Sequence, residues 1–125
     1  MKAEALLNQY RDQVNAIFCP NESSVYGTLQ ALRRTGLLGK VILVGFDATP
    51  ALVAALGAGE LHGLVLQDPV RMGYLGVRAA VDAIKGLLQE KRVDTGAWVA
   101  TPENMDEPEI ASRLSPDLSI LELAR

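Results

Sequence analysis

Three times along this chain an apolar segment of strand length meets a polar residue and then at once a helix start: AIFCPNESS at 16–24, VILVGFDATP at 41–50 and LVLQDP at 64–69. Repeated strand-to-helix junctions of this kind restrict the chain to an α/β sheet whose parallel strands are joined by right-handed crossovers. Each junction then lies at the carboxyl end of a strand, so Asn21, Asp47 and Gln67 are expected to point into one crevice. The helix starts carry their own signals. Glu22-Ser23-Ser24 offers hydroxyl caps, and Thr49-Pro50 and Asp68-Pro69 each place a cap before a first-turn proline, whose missing N–H has no intrahelical acceptor to lose.

The remaining elements follow from periodicity. Leu6, Tyr10 and Val14 recur every four residues and predict an opening helix over 3–14. A strand at 16–19 precedes a helix over 23–35 with Val25, Leu29 and Leu32 inward, closed by Gly36. Residues 40–46 form a near-continuous aliphatic run, as in a strand covered on both faces. A short helix at 50–56 presents Leu52, Val53 and Leu56 to the core, and a third strand spans 62–66. A long helix over 69–88 aligns Met72, Gly76, Ala79, Ala80, Ala83 and Leu87, a small-residue face that would let it approach a sheet closely. A last strand is expected at 96–100, and residues 101–125, rich in Pro, Asp and Glu, are expected as a surface tail. The predicted fold is a three-layer α/β/α sandwich with a mostly parallel sheet, one domain over residues 1–125.

Composition removes several function classes. The formal net charge is −3, and Arg33-Arg34 and Lys91-Arg92 are too short to make a basic footprint, so no nucleic-acid partner is expected. No apolar run approaches the roughly 18 residues that span a bilayer, and MKAEALLNQY lacks a secretory signal's apolar stretch, so the chain as written reads as unexported and cytoplasmic. The lone Cys19 allows neither an internal disulfide nor a multi-cysteine metal site and reads as a packing residue. No Gly-rich phosphate loop, nucleophile elbow or His/Cys zinc set occurs. His62, the single histidine, starts a strand far from the predicted crevice. The crevice itself offers one carboxylate and no partner for acid–base work. No enzyme, cofactor or metal is expected.

What the crevice does offer suits a sugar. Asp47 leaves its strand beside Phe46, so a carboxylate that accepts from hydroxyls accompanies a ring that covers apolar C–H faces. Asn21 and Gln67 both donate and accept, as hydroxyls do. Spacing alone leaves equal room for Asp47 as a helix cap and Phe46 as core; for Asn21 and Gln67 taken singly it favours ordinary loop hydrogen bonding, and it is the convergence of three junctions that points to a site. Trp98, Met72 and Tyr74 read as packing residues.

The stretches AIFCPNESSVYGTLQALRRTG, VILVGFDATP, LHGLVLQDPVRMGYLGVRAAVDAIKG and TGAWVATPENMD resemble the carboxyl-terminal lobe of periplasmic sugar-binding proteins of the ribose-binding type, the solute-binding components of ABC sugar importers. The resemblance covers almost the whole chain and implies a type I half-lobe. It implies ligand contacts from Asn21, Phe46, Asp47 and Gln67, a monosaccharide ligand such as ribose or another pentose or hexose, a membrane permease as partner, and a periplasmic or envelope address for the parent protein. Sensor domains of LacI-type regulators share VGFD but usually continue into a different strand than LVLQDPVRMGYLGV, and they carry a helix-turn-helix head. In the solute-binding family an amino-terminal lobe and the first strands of this lobe precede the position of Met1. The chain therefore reads as a truncated lobe whose opposite binding wall, with its aromatic rings and an arginine, lies elsewhere. Strands lost from one side leave an open edge, and a homodimer that pairs or swaps across it is expected. The alternatives are a half-lobe that folds and dimerises without binding sugar, and a LacI-type sensor domain.

Overall fold

The computed structural model describes residues 2–116. Helix α1 (Lys2–Gln9) leads into strand β1 (Ala16–Phe18), then α2 (Glu22–Thr35), β2 (Ile42–Phe46), α3 (Pro50–Gly57), β3 (Gly63–Leu66), α4 (Pro69–Ile84), β4 (Trp98–Ala100) and α5 (Pro108–Leu114). The strands lie side by side in chain order, β1-β2-β3-β4. The first three are parallel and β4 runs antiparallel to β3. This is the mostly parallel α/β sheet expected.

The helix boundaries have local causes. Asn21 caps α2, its side chain accepting from the Ser24 N–H, and Gly36 closes that helix in the left-handed conformation at φ 68° that glycine adopts without a Cβ penalty. Pro50 and Pro69 open α3 and α4 in the first turn. Helix α1 stops at Gln9 rather than near 14, because Gln13 and Val14 both donate to the Tyr10 carbonyl in a turn.

Side chains alternate across the sheet. On one face Leu43, Gly45, Leu64, Leu66 and Ala100 are buried in a core shared with Leu7, Val25, Leu29, Leu32, Leu52 and Leu56. Gly45 is why α2 sits so close: a Cβ there would meet both Val25 methyls at 2.8 Å and a Leu64 methyl at 2.9 Å. The other face carries Phe18, Ile42, Val44, Phe46, Val65 and Val99, placed together by the strand register. Phe18, Ile42 and Val99 are 57%, 49% and 52% exposed.

Two expectations need correction. Residues 101–116 are not simply a surface tail, for they contain α5, which buries Ile110 and Leu114 in the common core; residues 117–125 lie outside the described residues. Nor does α4 seat its small-residue face against the sheet. Met72, Gly76, Ala80, Ala83 and Leu87 are exposed, Ala79 is half-buried, and no residue of the helix is buried. An amphipathic pattern states that a face has an apolar preference, and it does not state which surface meets it.

Candidate ligand-binding site

The carboxyl ends of β2 and β3 come together through their backbones before any side chain is involved. Asp47, the residue after β2, donates its N–H to the Val65 carbonyl of β3 at 2.9 Å. It also takes a left-handed backbone conformation, φ 68°, where every other positive-φ residue described is a glycine. Aspartate is among the few side chains that tolerate this region, and such outliers gather where a loop has to aim a group. The turn aims the carboxylate toward β3, where Gln67 Nε2 donates to Asp47 Oδ1 at 2.8 Å. Both side chains are half-buried. The free Asp47 oxygen and the Gln67 carbonyl oxygen are thereby held in fixed relation as acceptors.

Asp47 and Gln67 line one open cavity of about 340 Å³, together with Glu22, Thr49, Met72 and Arg113. Sequence reasoning had the two central residues and missed Arg113 altogether. Its guanidinium stacks 3.3 Å from the Trp98 ring centroid and pairs with Asp68 at 3.5 Å and Glu109 at 3.6 Å. Glu109 also accepts from the Trp98 indole N–H at 2.9 Å. Arg113 Nε is buried without a hydrogen-bond partner among the described residues. A signal for this helix was present in EPEIASRL, with a first-turn proline, Ile110 and Leu114 four apart, and Glu109 four residues before Arg113.

Asn21 and Phe46 sit at the same end of the sheet but are not among the residues lining that cavity. Asn21 is exposed, and its Oδ1 accepts from the Ser24 N–H and the Ser23 hydroxyl, each at 3.0 Å, which leaves its Nδ2 as the end turned to other uses. Phe46 is half-buried on the open sheet face, beside Val65 in the register. Far from this edge, His62 Nδ1 accepts from the Leu43 N–H at 3.2 Å and helps bind the starts of β2 and β3. Cys19 is buried and contacts the Thr28 hydroxyl. Among the described residues no three His, Cys, Asp or Glu side chains converge as metal ligands do.

A family model described as the periplasmic binding protein domain matches residues 1–88. The chain belongs to this family. Among periplasmic binding protein relatives, the D-allose-binding periplasmic protein of Escherichia coli (strain K12) is 35% identical over 77 residues, covering 62% of this chain and 25% of its own length. The ribose import binding protein of the same organism is 37% identical over 81 residues, covering 65% of this chain and 27% of its own. A solved carbohydrate transporter solute-binding protein from Agrobacterium radiobacter, in complex with D-arabinose, superimposes with a TM-score of 0.81 at 34% identity, over 91% of this chain and 39% of that one. The chain thus spans about a quarter of those curated relatives. Open α/β sheets generally place ligands outside the carboxyl ends of their strands, and this is the end of the sheet that Asp47 and Gln67 occupy.

Proposed function

We propose that this chain forms one wall of a monosaccharide site in the solute-binding component of an ABC sugar importer, and that it acts by binding rather than by catalysis. The observation that carries the reading is the Asp47–Gln67 pair, a carboxylate fixed by an amide at a strand-end cavity. A carboxylate and an amide carbonyl accept hydrogen bonds from neighbouring sugar hydroxyls, and Asn21 Nδ2 donates to a third from the adjoining junction. Phe46 supplies an apolar edge to the same rim. Relatives named for allose and ribose, and a neighbour holding arabinose, support a pentose or hexose as the ligand class.

In the whole protein a second, amino-terminal lobe would close over the sugar, the ligand favouring the closed form through contacts made only there. Its place of work would be the periplasm, beside a membrane permease.

Amide NMR spectra of the labelled chain, recorded while ribose, allose, arabinose and glucose are titrated to high millimolar levels, test the reading. Saturable shifts clustered at Asn21, Phe46, Asp47 and Gln67 and lost in Asp47→Asn are expected. A well-dispersed spectrum that none of the sugars moves would sink the reading for this chain on its own. Asparagine is the better control than alanine, since it tolerates the left-handed backbone that alanine strains by about 1 kcal/mol.

A further inference from the structure

Ile110 and Leu114 sit in the common core and fix the rotation of α5, so Glu109 and Arg113, each one residue before them, are carried together along a neighbouring side of the helix. The β3–β4 register brings that side to the strand-end cavity. Leu66 stands opposite Trp98, Gln67 is the next residue after Leu66, and the Arg113 guanidinium lies 3.3 Å from the Trp98 ring centroid. Arg113 and Gln67 consequently share two cavities, the one of about 340 Å³ that Asp47 also lines and a smaller one of about 130 Å³ with Asp68 and Ser112.

Three side chains hold the guanidinium. Trp98 fixes its plane by stacking, and Asp68 and Glu109 answer its charge at 3.5 and 3.6 Å. Those distances exceed the roughly 2.7–3.2 Å of a hydrogen bond, so these partners orient the fork of N–H donors without taking them up. With 22% of the side chain exposed, a hydrogen bond made there is shielded from water and counts for more than one at an open surface.

We propose that Arg113 is a further ligand-contacting residue, whose guanidinium donates to an uncharged oxygen of the sugar, a hydroxyl or the ring oxygen, while neighbouring hydroxyls donate to Asp47 and Gln67. A sugar hydroxyl both donates and accepts, and the cavity wall is rich in groups that accept. Glu22 and Asp47 bring carboxylates, and the Gln67 amide N–H is engaged by Asp47. Arg113 is the charged donor among the described residues that line the cavity. Charge decides which oxygen it takes. Asp68 and Glu109 flank the guanidinium and Glu22 and Asp47 line the same cavity, so four carboxylates stand against one cation, and a ligand carboxylate or phosphate would enter against them. A neutral oxygen meets no such repulsion. The inference rests on the reading of this cavity as a sugar site and adds the residue that reads the sugar as an acceptor.

The Arg113 side chain reports on itself. In nitrogen-edited spectra of the full chain, its Nε–H peak, assigned through bonds from its own backbone, is followed with the Asp47 and Gln67 amides while ribose, allose, arabinose and glucose are titrated to high millimolar levels. The peak is expected to move saturably with the same midpoint as those amides, and to stay in place when inorganic phosphate is titrated instead. Arg113→Lys keeps a positive charge beside Asp68 and Glu109 but loses the planar fork, and should weaken the responding sugar by about tenfold with an unchanged far-UV melt. Monodeoxy forms of that sugar, and the analogue with a methylene in place of the ring oxygen, identify the atom. For one of them wild type and Arg113→Lys bind equally, because the oxygen it lacks is the one the guanidinium touches.

Should the lysine variant lose its cooperative melt, the wild-type peak decides alone: the analogue without the contacted oxygen then shifts the Asp47 amide and leaves the Arg113 peak unmoved. Shifts at Asp47 and Gln67 beside an Arg113 peak that no sugar moves, or that phosphate moves instead, overturn the role of Arg113 and leave the sugar site standing. A lysine variant that weakens every analogue equally overturns it too, since that is how a residue behaves when it only holds Asp68 and the start of α4. Silence at every peak overturns both readings together.

Discussion

Gly45 and Asp47, two residues apart, do opposite things with their backbones. Gly45 has no room for a Cβ between Val25 and Leu64, so Gly45→Ala forces the α2–β2 contact apart and should cost about 1–3 kcal/mol, read as a lower denaturation midpoint at unchanged slope. Asp47 spends conformational energy to turn its carboxylate toward Gln67. That carboxylate has no hydrogen to give, so a sugar hydroxyl bound to it must donate. O-methylation of that hydroxyl is therefore expected to abolish the shifts that the parent sugar produces, a comparison made by titrating the mono-O-methyl series. The sequence shows Asp47 and Gln67 as junction residues, because strand-end polarity is a local pattern. It does not show that they bond to each other, since that depends on the register that sets Phe46 beside Val65. Arg113 was illegible for a related reason: its significance lies in Trp98 and Asp68, both distant in sequence.

Elements were most legible where a cap or breaker marks their ends. Asn21, Gly36, Pro50 and Pro69 delimit α2, α3 and α4 in the structure as in the sequence. Because Asn21 both caps α2 and faces the proposed ligand rim, its two roles are separable by substitution. Asn21→Asp keeps the cap oxygen and should leave the thermal midpoint within a few tenths of a kcal/mol, whereas Asn21→Ala should lose about 1 kcal/mol. Both remove Nδ2 and should weaken any sugar response equally, which paired melts and titrations would show. Helix α4 ends earlier than its apolar pattern predicts, at Ile84, where Gly86 turns with φ 76°. The α5 segment looks like a tail in sequence because the acidic and proline residues around it resemble a loop, although proline at a first turn and acid beside it are also how short helices begin.

At the scale of the molecule, the order of strands and helices was recoverable because right-handed crossovers leave few topologies for this alternation. Which sheet face ends up covered was not, since an apolar residue on an exposed and on a buried face is written identically.

The antiparallel pairing of β3 with β4 aligns Leu66 with Trp98, so residues 67–97 occupy the place of a hairpin turn. Strands joined in this way need only a few residues between them, and closing a loop twice as long adds only about 0.6 kcal/mol. Helix α4 thus stands, within the family's matched span of residues 1–88, where a short turn would serve the ladder alone. A designer can therefore vary the segment between Met72 and Gly96 while leaving the β3–β4 ladder at its base in place. The first turn of the helix is the exception, since Pro69 and Met72 line the cavity with Asp47 and Gln67, and that turn belongs to the site rather than to the exchangeable part.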